Sequence, residues 1–223
     1  MDEATRRARK ETEKGATQMN IGIIGAGSVG TSLATAAKRA GHNVLVSSSK
    51  AADAQKLAGS IGAAAAASNR EAIQGSDIVI LAVPFDAVEA IVREAGDAAQ
   101  GKVIIDVSNR FDPAQLNGKS NAELIQEMVP ASHVVKAFNT VLAARQSDPP
   151  AEGIQLDGFV AGEEGDAKSR ALDFVRSLGF RPIDVGTLAM ARALEGMGTL
   201  NINLNISRNL PWQNGWKLLG PSA

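Results

Sequence analysis

From Asn20 onward, apolar and polar positions follow two alternating patterns. Short apolar runs occur at "NIGII" (20–24), "NVLVS" (43–47), "DIVILAV" (77–83), "KVIIDVS" (102–108), "HVVKAFN" (133–139), "GFVAGE" (158–163) and "RPIDV" (181–185). Helix-forming segments separate most of them, at 29–41, 51–61, 86–99, 120–128 and 165–178. Runs that are apolar throughout predict strands covered on both faces. Their alternation with helices predicts an α/β fold, a doubly wound and mainly parallel sheet.

Two segments need more than the local pattern. "AAAAA" at 63–67 has helical propensity but is bounded by Gly62 and by the turn-forming pair Ser68 and Asn69. Five residues are too few to sustain a helix, so a short edge strand is expected there. "LNINLNI" at 200–206 alternates like a strand, yet Leu194, Met197, Asn201 and Leu204 share one helical face. The strong helix formers that follow Leu188 predict one long helix through this region.

Composition removes several classes of function. A net charge of −1 gives no general attraction to a phosphate backbone, so no nucleic-acid partner is expected. The chain has no cysteine, and His42 and His133 lie far apart, so no metal site is expected. No apolar run reaches the about 18 residues of a membrane span. Residues 1–18 mix both charges without the apolar centre of a secretory signal, and predict a disordered or frayed extension. A cytoplasmic location follows by default.

Gly25-Ala26-Gly27-Ser28-Val29-Gly30 fits G-x-G-x-x-G directly between an apolar run and a helix-forming one. In that context the pattern has a physical meaning. Gly25 allows a tight turn, Gly27 lets the backbone approach a pyrophosphate, and Gly30 lets helix and strand pack closely. The free N–H groups of the helix start then face the anion. An acid that bonds a ribose 2′-hydroxyl would stand about 20 residues further on, at the end of the second strand. Ser48 occupies that place, followed by Ser49 and Lys50, and Asp53 falls in the next helix. Hydroxyls that donate and an ammonium suit a 2′-phosphate, so NADP(H) is expected over NAD(H).

With "SDIVILAVP", "VVKAFNT" and "DVGTLAMARALE" added to the glycine turn, the chain resembles the coenzyme F420-dependent NADP oxidoreductases over about residues 19–219. It is also similar to the cytosolic NADPH-binding domain of STEAP metalloreductases. The resemblance implies a Rossmann-like domain with additional strands over 19–186, and a small helical C-terminal part over 187–223 that completes the cleft. It implies hydride transfer between NADP(H) and a flavin or deazaflavin acceptor such as F420, FMN or FAD. Ala26, Gly27, Ser28 and Val29 would then contact the pyrophosphate, and Ser48, Ser49 and Lys50 the 2′-phosphate. Ala82, Val83 and Pro84 would line the ribose and ring, with Ala137 and Asn139 beside the nicotinamide. Thr140, Leu188 and Met190 would wall the acceptor space.

Asn139 departs from the histidine associated with the deazaflavin enzymes. It is the residue placed to orient a ring, through a carboxamide or a ring carbonyl, and it cannot titrate near neutrality. Hydride transfer needs positioning and exclusion of water more than acid–base groups, so no catalytic acid or base is nominated. Asp106 reads as a strand-end carboxylate capping the following loop. An NADPH reductase of another small organic substrate and a non-catalytic NADP(H)-sensing module remain the alternatives. The tail "NLPWQNGWKLL" carries Trp212, Trp216, Leu218 and Leu219, which would cover the cleft, a second subunit of a homodimer, or its own chain.

Overall fold

The computed structural model describes residues 17–110 and 118–220. The expected frayed extension over 1–18 therefore lies almost wholly outside the described residues. In chain order the elements are β1 (Asn20–Ile24), α1 (Ser28–Arg39), β2 (Asn43–Ser47), α2 (Ala51–Ile61), β3 (Ala64–Ala65), α3 (Asn69–Gln74), β4 (Ile78–Leu81) and α4 (Val88–Ala95). There follow β5 (Val103–Asp106), α5 (Asn121–Met128), β6 (His133–Ala137), α6 (Ala143–Gln146), β7 (Pro150–Ala151), β8 (Ile154–Gln155), β9 (Asp157–Gly162), α7 (Asp166–Ser177), β10 (Arg181–Asp184) and α8 (Ala191–Arg208).

Eight strands form one sheet in the order β10-β9-β6-β5-β4-β1-β2-β3. The alanine run pairs with β2 at the edge, as its length requires. All neighbours are parallel except β6 and β9. The chain between those two strands carries α6 and the small β7–β8 hairpin, so β9 returns antiparallel. Successive side chains of each strand enter opposite cores. Ile21, Ile23, Ile78, Ile80 and Ile105 pack with Leu33 of α1 and Phe174 of α7. Ile24, Val79, Leu81 and Ile104 pack with Ile73, Ile91 and Ile125 on the other face.

Register aligns the strand ends. Ile24 pairs with both Ser47 and Leu81, Leu81 with Asp106, and Asp106 with Lys136. Five strands thus end on one line, and their loops leave the carboxyl edge at the same level. The chain order reverses between β1 and β4, which opens a crevice at that edge.

Residues 188–208 are helical, as expected, with a single 3₁₀ turn (Leu188–Met190) leading into α8. The helix is amphipathic in an unusual sense. Glu195, Asn201 and Asn205 are buried, whereas Leu200, Leu204 and Ile206 are exposed. Two carboxylate anchors hold this end of the molecule. Arg192 forks onto Glu123 in the capping box of α5, at 2.8 and 2.6 Å. Burial pushes the Glu123 carboxyl up, but Arg192 and Ser120 outweigh it and bring it down to about 2. Asp157, fully buried at the start of β9, takes Arg181 at 2.7 Å through each oxygen, Lys217 at 3.0 Å and the Leu218 N–H at 2.6 Å. The tail is therefore tied to its own chain as far as Leu218.

Candidate active site

The glycine turn is built as its spacing requires. Gly25 has φ +114°, where an L side chain is strained, and a Cβ there would also meet the Ala82 carbonyl and, at 3.0 Å, Val83. A Cβ on Gly30 would fall on the Gly25 carbonyl, so only glycine lets α1 sit this close to the turn. At Gly27 a Cβ would meet nothing within 4 Å, so this backbone faces open space. Gly27 is the N-cap of α1 and supplies no side chain to its first N–H groups. An uncapped helix start beside an open backbone cradle fits a pyrophosphate.

The neighbouring loops close the same crevice. The Gly25 N–H donates to the Ser47 carbonyl at 2.9 Å, and the Ala82 N–H to the Ile24 carbonyl at 2.8 Å. The turn, the end of β2 and Ala82-Val83-Pro84 are thus contiguous. Ser48 is half-buried just past β2, and Ser49 and Lys50 are exposed. Asp53 lies in the first turn of α2, not at the strand end. The residues present fit a dinucleotide carrying a 2′-phosphate.

The other side of the crevice differs from expectation. Directly after β6, Phe138 has φ +62° and packs edge-on against Phe174 and Phe180 at 5.9 Å. For a bulky residue this conformation costs about 1–3 kcal/mol, and it turns the chain so that Asn139 meets α8. The Asn139 amide donates to the Asn109 Oδ1 and to the Leu194 carbonyl, both at 2.8 Å. Asn109 in turn donates to the Asn139 carbonyl at 3.0 Å. The Leu194 carbonyl can only accept, which fixes which end of the amide is nitrogen. Both donors are committed, and Oδ1 is left buried without a partner. The Asn139 amide is thus not available to donate to a ring carbonyl, and Oδ1 is its one unpartnered polar atom.

Asn139 lines a slot of about 240 Å³ together with Val29, Val107, Leu142, Gln146, Ile202 and Trp212. Among the described residues that line it, none carries a titratable side chain. Four residues assigned by resemblance do not reach this slot. Ala137 is fully enclosed in the sheet core, Thr140 and Leu188 are buried beneath the surface, and Met190 is 42% exposed away from it. They support the segment; Gln146, Ile202 and Trp212 take the wall. The sequence pattern missed Gln146 and Ile202, which come from a one-turn helix and an apparently apolar stripe; Trp212 was expected only as part of a tail covering the cleft, a second subunit or its own chain.

A buried charge cluster lies at the ends of β5 and β6. Lys136 Nζ donates to Asp106 Oδ2 at 2.7 Å, to Glu195 Oε1 at 2.7 Å and to the Ser108 carbonyl at 2.6 Å. Asp106 Oδ1 accepts from the Ser108 N–H at 2.9 Å, so it caps the following loop and pairs with a lysine as well. Glu195 also accepts the Asn121 N–H at 2.9 Å. Burial pushes the Glu195 carboxyl above the usual carboxylate range, against the pull of Lys136. This cluster locks the ends of β5 and β6 to α8 and holds the loop carrying Asn109.

The family described as NADP oxidoreductase, coenzyme F420-dependent, matches residues 20–110. The F420-dependent NADP reductase of Methanothermobacter thermautotrophicus is 30% identical over 212 residues, covering 84% of this chain and 90% of that protein. Metalloreductase STEAP3 of Rattus norvegicus is 32% identical over 178 residues, covering 79% of this chain. The chain spans only 36% of that metalloreductase. A solved structure, a putative F420-dependent NADP reductase from Arthrobacter sp. FB24, superposes with a TM-score of 0.80 at 26% identity, covering 90% of this chain and all of the other. The chain belongs to the coenzyme F420-dependent family of NADP oxidoreductases.

Proposed function

We propose that the protein transfers a hydride between NADP(H) and a flat flavin- or deazaflavin-type acceptor. The observation that carries this reading is the slot beside Val29, which is mostly apolar, without titratable lining, and adjacent to the glycine turn. The dinucleotide, when bound, supplies the hydride. The chain's part is to hold and orient it. Backbone N–H groups from Ala26 to Val29 take the pyrophosphate, Ser48, Ser49 and Lys50 the 2′-phosphate, and Ala82, Val83 and Pro84 the ribose, while Gly25 shapes the turn. Asn139 Oδ1 accepts from a carboxamide N–H, while the segment from residue 187 onward completes the cleft and keeps water out. No helix among the described residues is long and apolar enough to cross a membrane.

Stopped-flow oxidation of NADPH with FMN, FAD and F420 tests the reading. Free flavin is expected to react at least as readily as the deazaflavin, because asparagine stands where the deazaflavin enzymes have histidine. Oxidation only by a small imine or ketone would move the protein to another reductase class, and no turnover with any acceptor would leave a sensing module. Asn139→Ala is expected to lower the rate of hydride transfer more than it weakens NADPH binding, since it leaves the phosphates alone.

Cofactor choice has its own test. Ser48→Asp should weaken NADPH by about 1–3 kcal/mol, the scale of a lost charge-assisted bond plus a like-charge contact. Calorimetric titration with NADPH and NADH reads both arms, and equal affinity of the unaltered protein for the two would remove the argument. For assembly we propose a homodimer, supported by the exposed Leu200 and Leu204, one turn apart on α8. Light scattering at micromolar concentration that gives only the 23.1 kDa of one chain would overturn it.

A further inference from the structure

We infer that Trp212 is the platform on which the hydride acceptor stacks, and so a specificity-determining residue for flat aromatic acceptors. The inference rests on the proposed function of the slot and adds the group that selects its second occupant.

Trp212 lines the slot and is 43% exposed, which sets the indole at the rim rather than in a core. The chain's other tryptophan, Trp216, instead packs with Phe159 and Leu194. Trp212 also has φ +58°, a conformation that bulky side chains avoid, so its placement must be imposed by its surroundings. Those surroundings are visible. The Trp212 N–H donates to Asn205 Oδ1 at 3.0 Å. Asn205 donates to Asn214 Oδ1 at 2.7 Å, and Asn214 donates to Asn201 Oδ1 at 2.6 Å. Asn201 reaches the Thr140 carbonyl at 3.3 Å, one residue from Asn139. On the other side Arg145 grips Gln213 by its carbonyl at 2.7 Å and by its side-chain oxygen at 3.3 Å.

A ladder of asparagines, two buried and one half-buried, therefore runs from the end of β6 to the tail and fixes the backbone on both sides of one exposed aromatic ring. Asparagines buried on the inner face of a helix are expensive unless fully bonded, and here their bonds converge on the tail. Val29, a residue of the glycine turn, lines the same slot. An indole held at the rim of a slot that the glycine turn also lines, and whose lining carries no charge, suits a neutral planar ring. Such a ring gains stacking on one face without losing hydrogen bonds to water at its edges.

The test uses Trp212→Ala and Trp212→Phe in the full chain, with FMN and F420 as probes. Trp212→Ala is expected to raise the KM for both acceptors about tenfold or more, by the worth of one aromatic stacking contact, with the Kd for NADPH unchanged. Trp212→Phe should restore most of the lost affinity. Independently of turnover, oxidised FMN titrated into the unaltered protein should show a charge-transfer absorbance to the red of the free flavin band. That band should be weak in Trp212→Phe and absent in Trp212→Ala. Unchanged KM values in a Trp212→Ala variant that still oxidises NADPH would overturn the platform and leave the proposed function standing. If the unaltered protein turns over neither probe, the proposed function fails, and the FMN titration still decides: a band that survives in Trp212→Ala, or none at all, overturns the platform.

Discussion

Replacing Lys136 by Met should destabilise the protein by about 3–5 kcal/mol, the cost of stranding buried carboxylates without their cation. Lys136 is fully buried, with Asp106 and Glu195 both at 2.7 Å. Removing it leaves two anions in a site that water does not reach. Urea denaturation followed by circular dichroism measures the loss. A neutral triple replacement, Asp106→Asn, Lys136→Met and Glu195→Gln, keeps the acceptors for Ser108 N–H and Asn121 N–H while removing all charge. It should recover more than half of the deficit, because replacing a whole buried cluster is often close to neutral. No recovery would mean that the lysine acts through packing alone.

The pH dependence of the same variant has a definite sign. The Glu195 carboxyl in the folded protein titrates above the ordinary carboxylate range, so ionising it opposes folding, increasingly as pH rises through that interval. Lys136 offsets this in the unaltered protein. Without it the folded-state value moves further up, and the stability deficit of Lys136→Met should be larger at about pH 8 than at about pH 5. A deficit independent of pH would show that Glu195 does not bear the cost.

Much of the fold was legible in the chain, and the exceptions have physical causes. Most strands and helices appeared in order because the inner strands β1, β2, β4, β5, β6 and β9 are largely buried and read as apolar runs. The glycine turn was legible because backbone geometry leaves it no other residue. The helix α3 was not, although Ser68 and Glu71 form its N-cap pattern: the Glu71 N–H donates to Ser68 Oγ at 3.1 Å. Ser68 and Asn69 also suit a turn, and only the glutamate three residues on distinguishes the two. The lone charges in "VIID" and "HVVKA" were a further signal. A single acid and a single lysine in fully buried strands must find partners, and the register makes them neighbours. Gln146 and Ile202 gave no local sign, and the apolar tail left three destinations open for Trp212, because the slot they wall exists only once α8 and the tail have packed.

Two glycines of α8 should respond to alanine in opposite directions. Gly196 is exposed, and a Cβ there would meet nothing within 4 Å. Gly196→Ala should therefore show helix propensity alone and stabilise the protein by up to about 1 kcal/mol. Gly198 is buried, and a Cβ there would strike Asn109 Oδ1 and come within 2.9 Å of the Asn139 carbonyl. Neither atom can retreat freely. Asn109 Oδ1 is the acceptor for the Asn139 amide, and the Asn139 carbonyl belongs to the backbone that Phe138 has already turned. Overpacking costs about 1–3 kcal/mol. Losing the reciprocal amide pair in a buried site adds about 1–3 kcal/mol, so the propensity gain is outweighed. Gly198→Ala should thus lower both the melting temperature and the hydride-transfer rate, with NADPH affinity changed far less, since the phosphate-binding turn lies across the crevice. If both alanines stabilise the helix equally, α8 does not hold Asn139 in place, and the rate prediction fails with it.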